Sequence, residues 1–157
     1  MPKTFKNCDV INLRSMQSAL GKELSEESSS KVVRAALLEA SRKALKIGQR
    51  KIQKQFESNK QLGEETIRIQ ALLIDQILKF AFDVTTTRIF PTAEPTESEK
   101  ISIAAVGGYG RGEMAPYSDI DLLFLLPYRL TPRVEQIVES ILYLLWDLGL
   151  KVGHSTR

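Results

Sequence analysis

Residues 101–126 constrain what this chain can fold into more than any other stretch. Ile101-Ser102-Ile103-Ala104-Ala105-Val106 reads as a strand and runs directly into Gly107-Gly108. Ten residues later, Asp119-Ile120-Asp121 opens a second apolar strand, Leu122-Leu123-Phe124-Leu125-Leu126, which ends at Pro127. Short apolar runs bounded by glycine and proline in this way predict neighbouring strands of one sheet. Pro132 suits a helix start. Val134, Ile137, Val138, Ile141, Leu142, Leu145 and Leu148 then recur at helical spacing, and Gly149 suits the residue just past the helix end. Leu150-Lys151-Val152 begins a further strand, so the predicted unit is strand, strand, crossover helix, strand.

Upstream, the periodicity is helical. Ser28, Ser29 and Ser30 are N-cap candidates for a helix reaching about Glu57, with Val33, Leu37, Ala40, Ala44 and Ile47 as its expected inner stripe and Arg42, Lys43, Lys46, Arg50 and Lys54 outside. Residues 58–63 supply a break. Glu64 and Glu65 suit the first turn of a second helix, where the macrodipole favours carboxylates, and Ile67, Ala71, Ile74, Leu78 and Ala81 form its stripe toward Asp83. The two helices are expected to pair as a hairpin. The predicted fold class is α+β: an irregular segment over 1–27, helices over 28–90, a two-proline linker over 91–100, and a mixed sheet with a crossover helix over 101–157. The third strand has hardly begun at Arg157, and the chain is expected to be a truncated fragment.

Composition removes several alternatives. With 157 residues, 43% hydrophobic and 26% charged, the chain has enough apolar material for one core. No stretch approaches the roughly 20 apolar residues of a spanning helix, and the N-terminus lacks a secretory signal, so a cytoplasmic, non-membrane protein is expected. Cys8 and His154 are the sole residues of their kinds, which excludes an internal disulfide and a Cys/His metal site, and Cys8 is expected to be an unreactive thiol. Any metal must therefore be held by carboxylates. Residues 1–60 hold 13 basic and 6 acidic side chains, a net +7, yet these are interleaved with apolar residues and lack an aromatic row, so nucleic acid is not the expected partner.

The chemistry concentrates in 106–122. Gly107 and Gly108 let the backbone turn tightly and bring N–H groups near phosphate oxygens with no Cβ in the way. The spacing is neither that of a P-loop nor a full GxGxxG fingerprint, because Glu113 stands where the third glycine would be. Strand residues two apart share a face, so Asp119 and Asp121 would present two carboxylates together while Ile120 and Leu122 face the core. Such a pair repels itself unless a cation balances it, and it suits Mg²⁺ ions that clamp the attacking and leaving oxygens at phosphorus. Arg111 either meets a phosphate or pairs with Glu113. Tyr109 and Tyr117 are expected to pack within the loop, His154 to be a packed or hydrogen-bonded strand residue and not a ligand, and Asp147 to be a surface acid.

The string GGYGRGEMAPYSDIDLLFLL, with LWDLGLKVGHS downstream, resembles the DNA polymerase β-like nucleotidyltransferase superfamily and, within it, the bacterial protein-PII uridylyltransferases. The resemblance covers about residues 30–157. It implies that 101–157 is a partial nucleotidyltransferase domain, that Gly107 and Gly108 hold a triphosphate, that Ser118 contacts phosphate, and that Asp119 and Asp121 are catalytic ligands of Mg²⁺. It implies UTP as the nucleotide and a tyrosine of the PII signalling protein, a regulator of nitrogen metabolism, as the acceptor. Members of the family carry a third carboxylate, an HD domain and ACT domains further on, so this chain is expected to show little activity by itself. An adenylyltransferase of the same superfamily, or a non-catalytic nucleotide-binding fragment, are the alternatives.

Overall fold

A computed structural model describes residues 10–58, 63–94, 96–128 and 130–157. Cys8, the break at 59–62 and Pro95 of the linker lie outside the described residues. The chain is an α+β fold in which helices cover one face of a small mixed sheet.

The segment 1–27, expected to be irregular, contains helix α1, Leu13–Glu23. Asn12 caps it by accepting from the Ser15 N–H at 3.0 Å, and Leu13, Met16, Leu20 and Leu24 lie along one side at helical steps. Leu20 and Leu24 are buried, so tertiary packing holds a helix whose Gly21 and serines weaken its intrinsic propensity. The Ile11 N–H, just ahead of α1, donates to Gln76 Oε1 at 3.0 Å.

Helix α2, Ser30–Glu57, starts on Ser29, whose hydroxyl accepts from the Val32 N–H. Helix α3, Gly63–Val84, begins with Glu64 and Glu65 and lies antiparallel to α2 as the expected hairpin partner. The inner stripe of α2 differs from expectation at one position. Val33, Leu37 and Ala44 are buried, but Ile47 is 56% exposed, and Ser41, Leu45, Gly48 and Ile52 face inward instead. The reason is a close approach of the two helices. A β-carbon on Gly48 would lie 2.4 Å from Leu73 Cδ1 of α3, so the stripe turns through the one residue small enough to admit Leu73. After Val84 the chain makes one π-helical turn, Thr85–Ile89, and the linker forms a short 3₁₀ turn at Glu97–Glu99.

Strand β1, Ser102–Ala105, is antiparallel to β2, Ile120–Leu125, and β2 is parallel to β3, Val152–Thr156, in the order β1-β2-β3. A one-turn helix, α4, Gly107–Gly110, follows β1 directly. The crossover from β2 to β3 is α5, Pro132–Asp147, with Pro132 in its first turn, Thr131 as N-cap and Gly149 at φ +77° past its end, as the sequence predicts. Val134, Ile137, Val138, Ile141, Leu142 and Leu145 of α5 are buried, and they join Ile120, Leu122 and Phe124 of β2 and Leu73, Ile74 and Ile77 of α3 in one core.

Because Leu73 is fully buried, Leu73→Ala should lower stability by about 2–5 kcal/mol. Gly48→Ala alone should bring no gain, since the added methyl meets Leu73, whereas on the Leu73→Ala background it should restore about 1 kcal/mol of helix propensity. Urea denaturation of the four proteins measures this, and an equal effect of Gly48→Ala in both backgrounds would show that the helices do not meet there.

Candidate active site

Three elements converge at one end of the sheet. Gly107, directly after β1, sits at φ +61° and opens the α4 turn, while Val106 ahead of it is extended and donates its N–H to Asp121 O at 3.0 Å. The turn closes through Gly110 N–H to Val106 O, and the Glu113 N–H returns to Gly108 O, both at 2.9 Å. The expected loop is thus a tight helical turn. Val106 as N-cap offers no capping side chain, so among the described residues the first N–H groups of the turn, on Gly107 and Gly108, have no protein acceptor.

Ile120, Leu122 and Phe124 are at most 1% exposed, which puts Asp121 on the opposite, uncovered face of β2, where it is half-buried. Its carboxylate occupies a slot between two glycines from neighbouring elements. A β-carbon on Gly107 would stand 2.7 Å from Asp121 Oδ2, and one on Gly153, its partner in β3, 2.8 Å from Oδ1. Neither contact is tolerable, so both glycines are required for the carboxylate to lie where it does. Asp119 is exposed, one residue ahead of the strand. Two carboxylates separated by a buried isoleucine, one held between glycines and the other open to solvent, are donors of the chemistry a hard cation takes. No cluster of three acidic, histidine or cysteine side chains occurs among the described residues.

Arg111 pairs with Glu113, Nε to Oε2 at 2.9 Å, and its Nη1 donates to Gly107 O at 3.0 Å. Both side chains of this ion pair are more than half exposed, so it is worth at most about 1 kcal/mol and opens readily. Ser118 is half-buried in the turn before β2, its N–H donating to Ala115 O at 3.1 Å. Gly107, Gly108, Arg111 and Asp121 therefore lie together at the turn, while Ser118 and Asp119 sit at the entrance to β2.

The two tyrosines differ. Tyr109 packs as expected, 4% exposed, with its hydroxyl donating to Asp75 Oδ1 at 2.6 Å, and burial together with that bond holds the hydroxyl's pKa well above the usual tyrosine range. Tyr117 does not pack: it is 94% exposed at φ +67°. His154 is exposed with its ring 6.4 Å from that of Trp146, and Asp147 is exposed on α5. Gly153 and Asp75 were not legible as site residues. A glycine inside a predicted strand is the one sequence signal that points to Gly153, since it marks a close approach.

Residues 87–157 match the nucleotidyltransferase domain family. The chain is 48% identical over 148 residues to the bifunctional uridylyltransferase/uridylyl-removing enzyme of Azospirillum brasilense, covering 94% of this chain and 16% of that protein. It is 51% identical over 124 residues to the protein of the same name from Rhodospirillum rubrum, covering 79% and 13%, and 41% identical over 156 residues to that of Erythrobacter litoralis, covering 99% and 17%. The chain thus spans 13–17% of the length of these relatives. No solved structure matches it. By sequence, residues 87–157 carry a nucleotidyltransferase domain, and most of the chain's length aligns with one part of the bifunctional uridylyltransferase/uridylyl-removing enzymes.

Proposed function

We propose that this chain holds the nucleotide site for Mg²⁺-dependent transfer of UMP from UTP to a tyrosine of the PII signalling protein, and works in the cytoplasm. The observation that carries the reading is the slot in which Gly107 and Gly153 flank the Asp121 carboxylate, directly beside a turn with free N–H groups. The names of the relatives support uridylyl transfer.

In that reaction the acceptor oxygen bonds to the α-phosphorus, the bond from that phosphorus to the bridging oxygen breaks, pyrophosphate leaves, and the tyrosyl proton is released. The N–H groups of Gly107 and Gly108 donate to phosphate oxygens, which approach closely because neither residue has a side chain. The Ser118 hydroxyl gives a further donor at the mouth of β2. Arg111, released from its exposed pair with Glu113, supplies a guanidinium for the terminal phosphates. Mg²⁺, when bound, would be held by Asp119 and Asp121 and supplies positive charge against the phosphate oxygens. The missing side chains of Gly107 and Gly153 leave the room in which the Asp121 carboxylate can reach a bound cation.

Calorimetric titration of the chain with UTP in Mg²⁺ tests the reading. Asp119→Asn and Asp121→Asn should each abolish Mg²⁺-dependent UTP binding while leaving the melting temperature unchanged or slightly raised, since each removes one of two mutually repelling charges. Unchanged metal-dependent affinity in both variants would remove the cation site from these residues. Gly153→Ala is the sharper variant. Alanine suits a strand at least as well as glycine, so the fold should persist, but its methyl displaces the Asp121 carboxylate and should weaken Mg·UTP binding by about tenfold or more. Native affinity in Gly153→Ala would show that the slot has no part in binding. UTP should also bind more tightly than ATP; equal affinities would leave a nucleotidyltransferase site with no preference for uridine.

A further inference from the structure

Helix α3 lies ahead of the residues that match the nucleotidyltransferase domain, yet it touches the glycine turn at two points. The Tyr109 hydroxyl donates to Asp75 Oδ1 at 2.6 Å, and the Met114 N–H donates to Ile67 O at 3.3 Å, so α3 grips the turn at Tyr109 and the loop that follows it at Met114.

The first of these contacts has particular leverage. Three of the four residues of α4 are glycine, and a turn so composed has little side-chain packing to hold its orientation and much backbone freedom to lose. Tyr109 is the one side chain of the turn, and it is buried. Its ring anchors the turn by packing, but a ring can rotate and slide. The hydroxyl bond to a half-buried carboxylate on a helix packed into the core removes that freedom. Asp75 is suited to the task because it stands at the edge of a cleft of about 430 Å³ between α3 and β1, which Lys79, Ser102 and Tyr109 also line, so its charge is not sealed in an apolar interior. The hydroxyl remains protonated throughout the physiological range, since burial and the carboxylate itself oppose its ionisation, and the donor is therefore always present.

We propose that Asp75 is a positioning residue of the nucleotide site: by accepting the Tyr109 hydroxyl bond it fixes the turn that carries Gly107 and Gly108. This rests on the reading of that turn as the triphosphate cradle. It also gives the helical hairpin a part in nucleotide binding, since any shift of α3 against the sheet would be passed to the turn through this bond and through Met114.

The test uses Asp75→Ala, Asp75→Asn and Tyr109→Phe in the 157-residue chain. Asparagine keeps an Oδ1 acceptor and phenylalanine keeps the buried ring, so neither should prevent folding, and thermal unfolding checks this. Two quantities are measured: the affinity for Mg·UTP, and hydrogen exchange at the amides of Gly110, Gly112 and Glu113, whose bonds close the turn. Asp75→Ala and Tyr109→Phe should weaken Mg·UTP by about tenfold, as for loss of one hydrogen bond to a charged group, and should speed exchange at those three amides while leaving β2 unchanged. Asp75→Asn should restore most of both. If the native chain binds Mg·UTP and Asp75→Ala binds it within about twofold of native, the positioning role is wrong while the nucleotide site stands. If the native chain binds no Mg·UTP, the reading of the turn fails and the role falls with it.

Discussion

The burial of Ile120, Leu122 and Phe124 beneath β2 decides where everything else in the molecule points. A strand alternates its side chains, so once these three are committed to α3 and α5, the residues between them must face the other way, and a slip of one position would exchange the core for the carboxylates. The central strand is paired on both sides, antiparallel to β1 and parallel to β3, which fixes its register twice over. Asp121 owes its position on the uncovered face to hydrophobic burial on the opposite one.

That placement would be of little use without space. The carboxylate lies near the start of the central strand, where side chains from neighbouring strands ordinarily stand within about 5 Å of it. From the turn that follows β1 the neighbour of the carboxylate is Gly107 and from β3 it is Gly153, and both leave a gap that a single methyl would close. The same absence of side chains at Gly107 and Gly108 exposes their N–H groups. Both the space around the Asp121 carboxylate and the openness of these N–H groups therefore follow from missing β-carbons, and Tyr109 is tied to α3 by its bond to Asp75.

Much of this is visible in the sequence because it is local. The Pro132 start and Gly149 end of α5 and the alternation of β2 each depend on residues a few positions apart, and they appear in the structure where the pattern puts them. β1 and β2 are one residue shorter at each end than the runs 101–106 and 119–126, and the last strand starts at Val152, not Leu150, and reaches Thr156. What was not legible depends on distant parts of the chain. Ile47 and Gly48 are equally good continuations of a helical stripe from Ala44, and only the arrival of Leu73 from α3 selects glycine. The stripe of α1 is spread over serines and a glycine and gains its helix from burial against the rest of the fold. Gly153 acquires its meaning from a register 32 residues away in sequence, and Asp75 from a tyrosine 34 residues away. Arg111 is open between two partners in the sequence, and in the structure it is paired with Glu113.

The proposed function requires that Gly107, Asp119, Asp121 and Gly153 together form one cation-and-phosphate site. Paramagnetic broadening by Mn²⁺, a stand-in for Mg²⁺, tests it most directly on the isotopically labelled chain with UTP present. The backbone amides of Gly107, Gly108, Asp121 and Gly153 should broaden first and together, at Mn²⁺ levels that leave the far end of β2 and the outer face of α2 sharp. Broadening centred elsewhere, or none at these four residues, would contradict it.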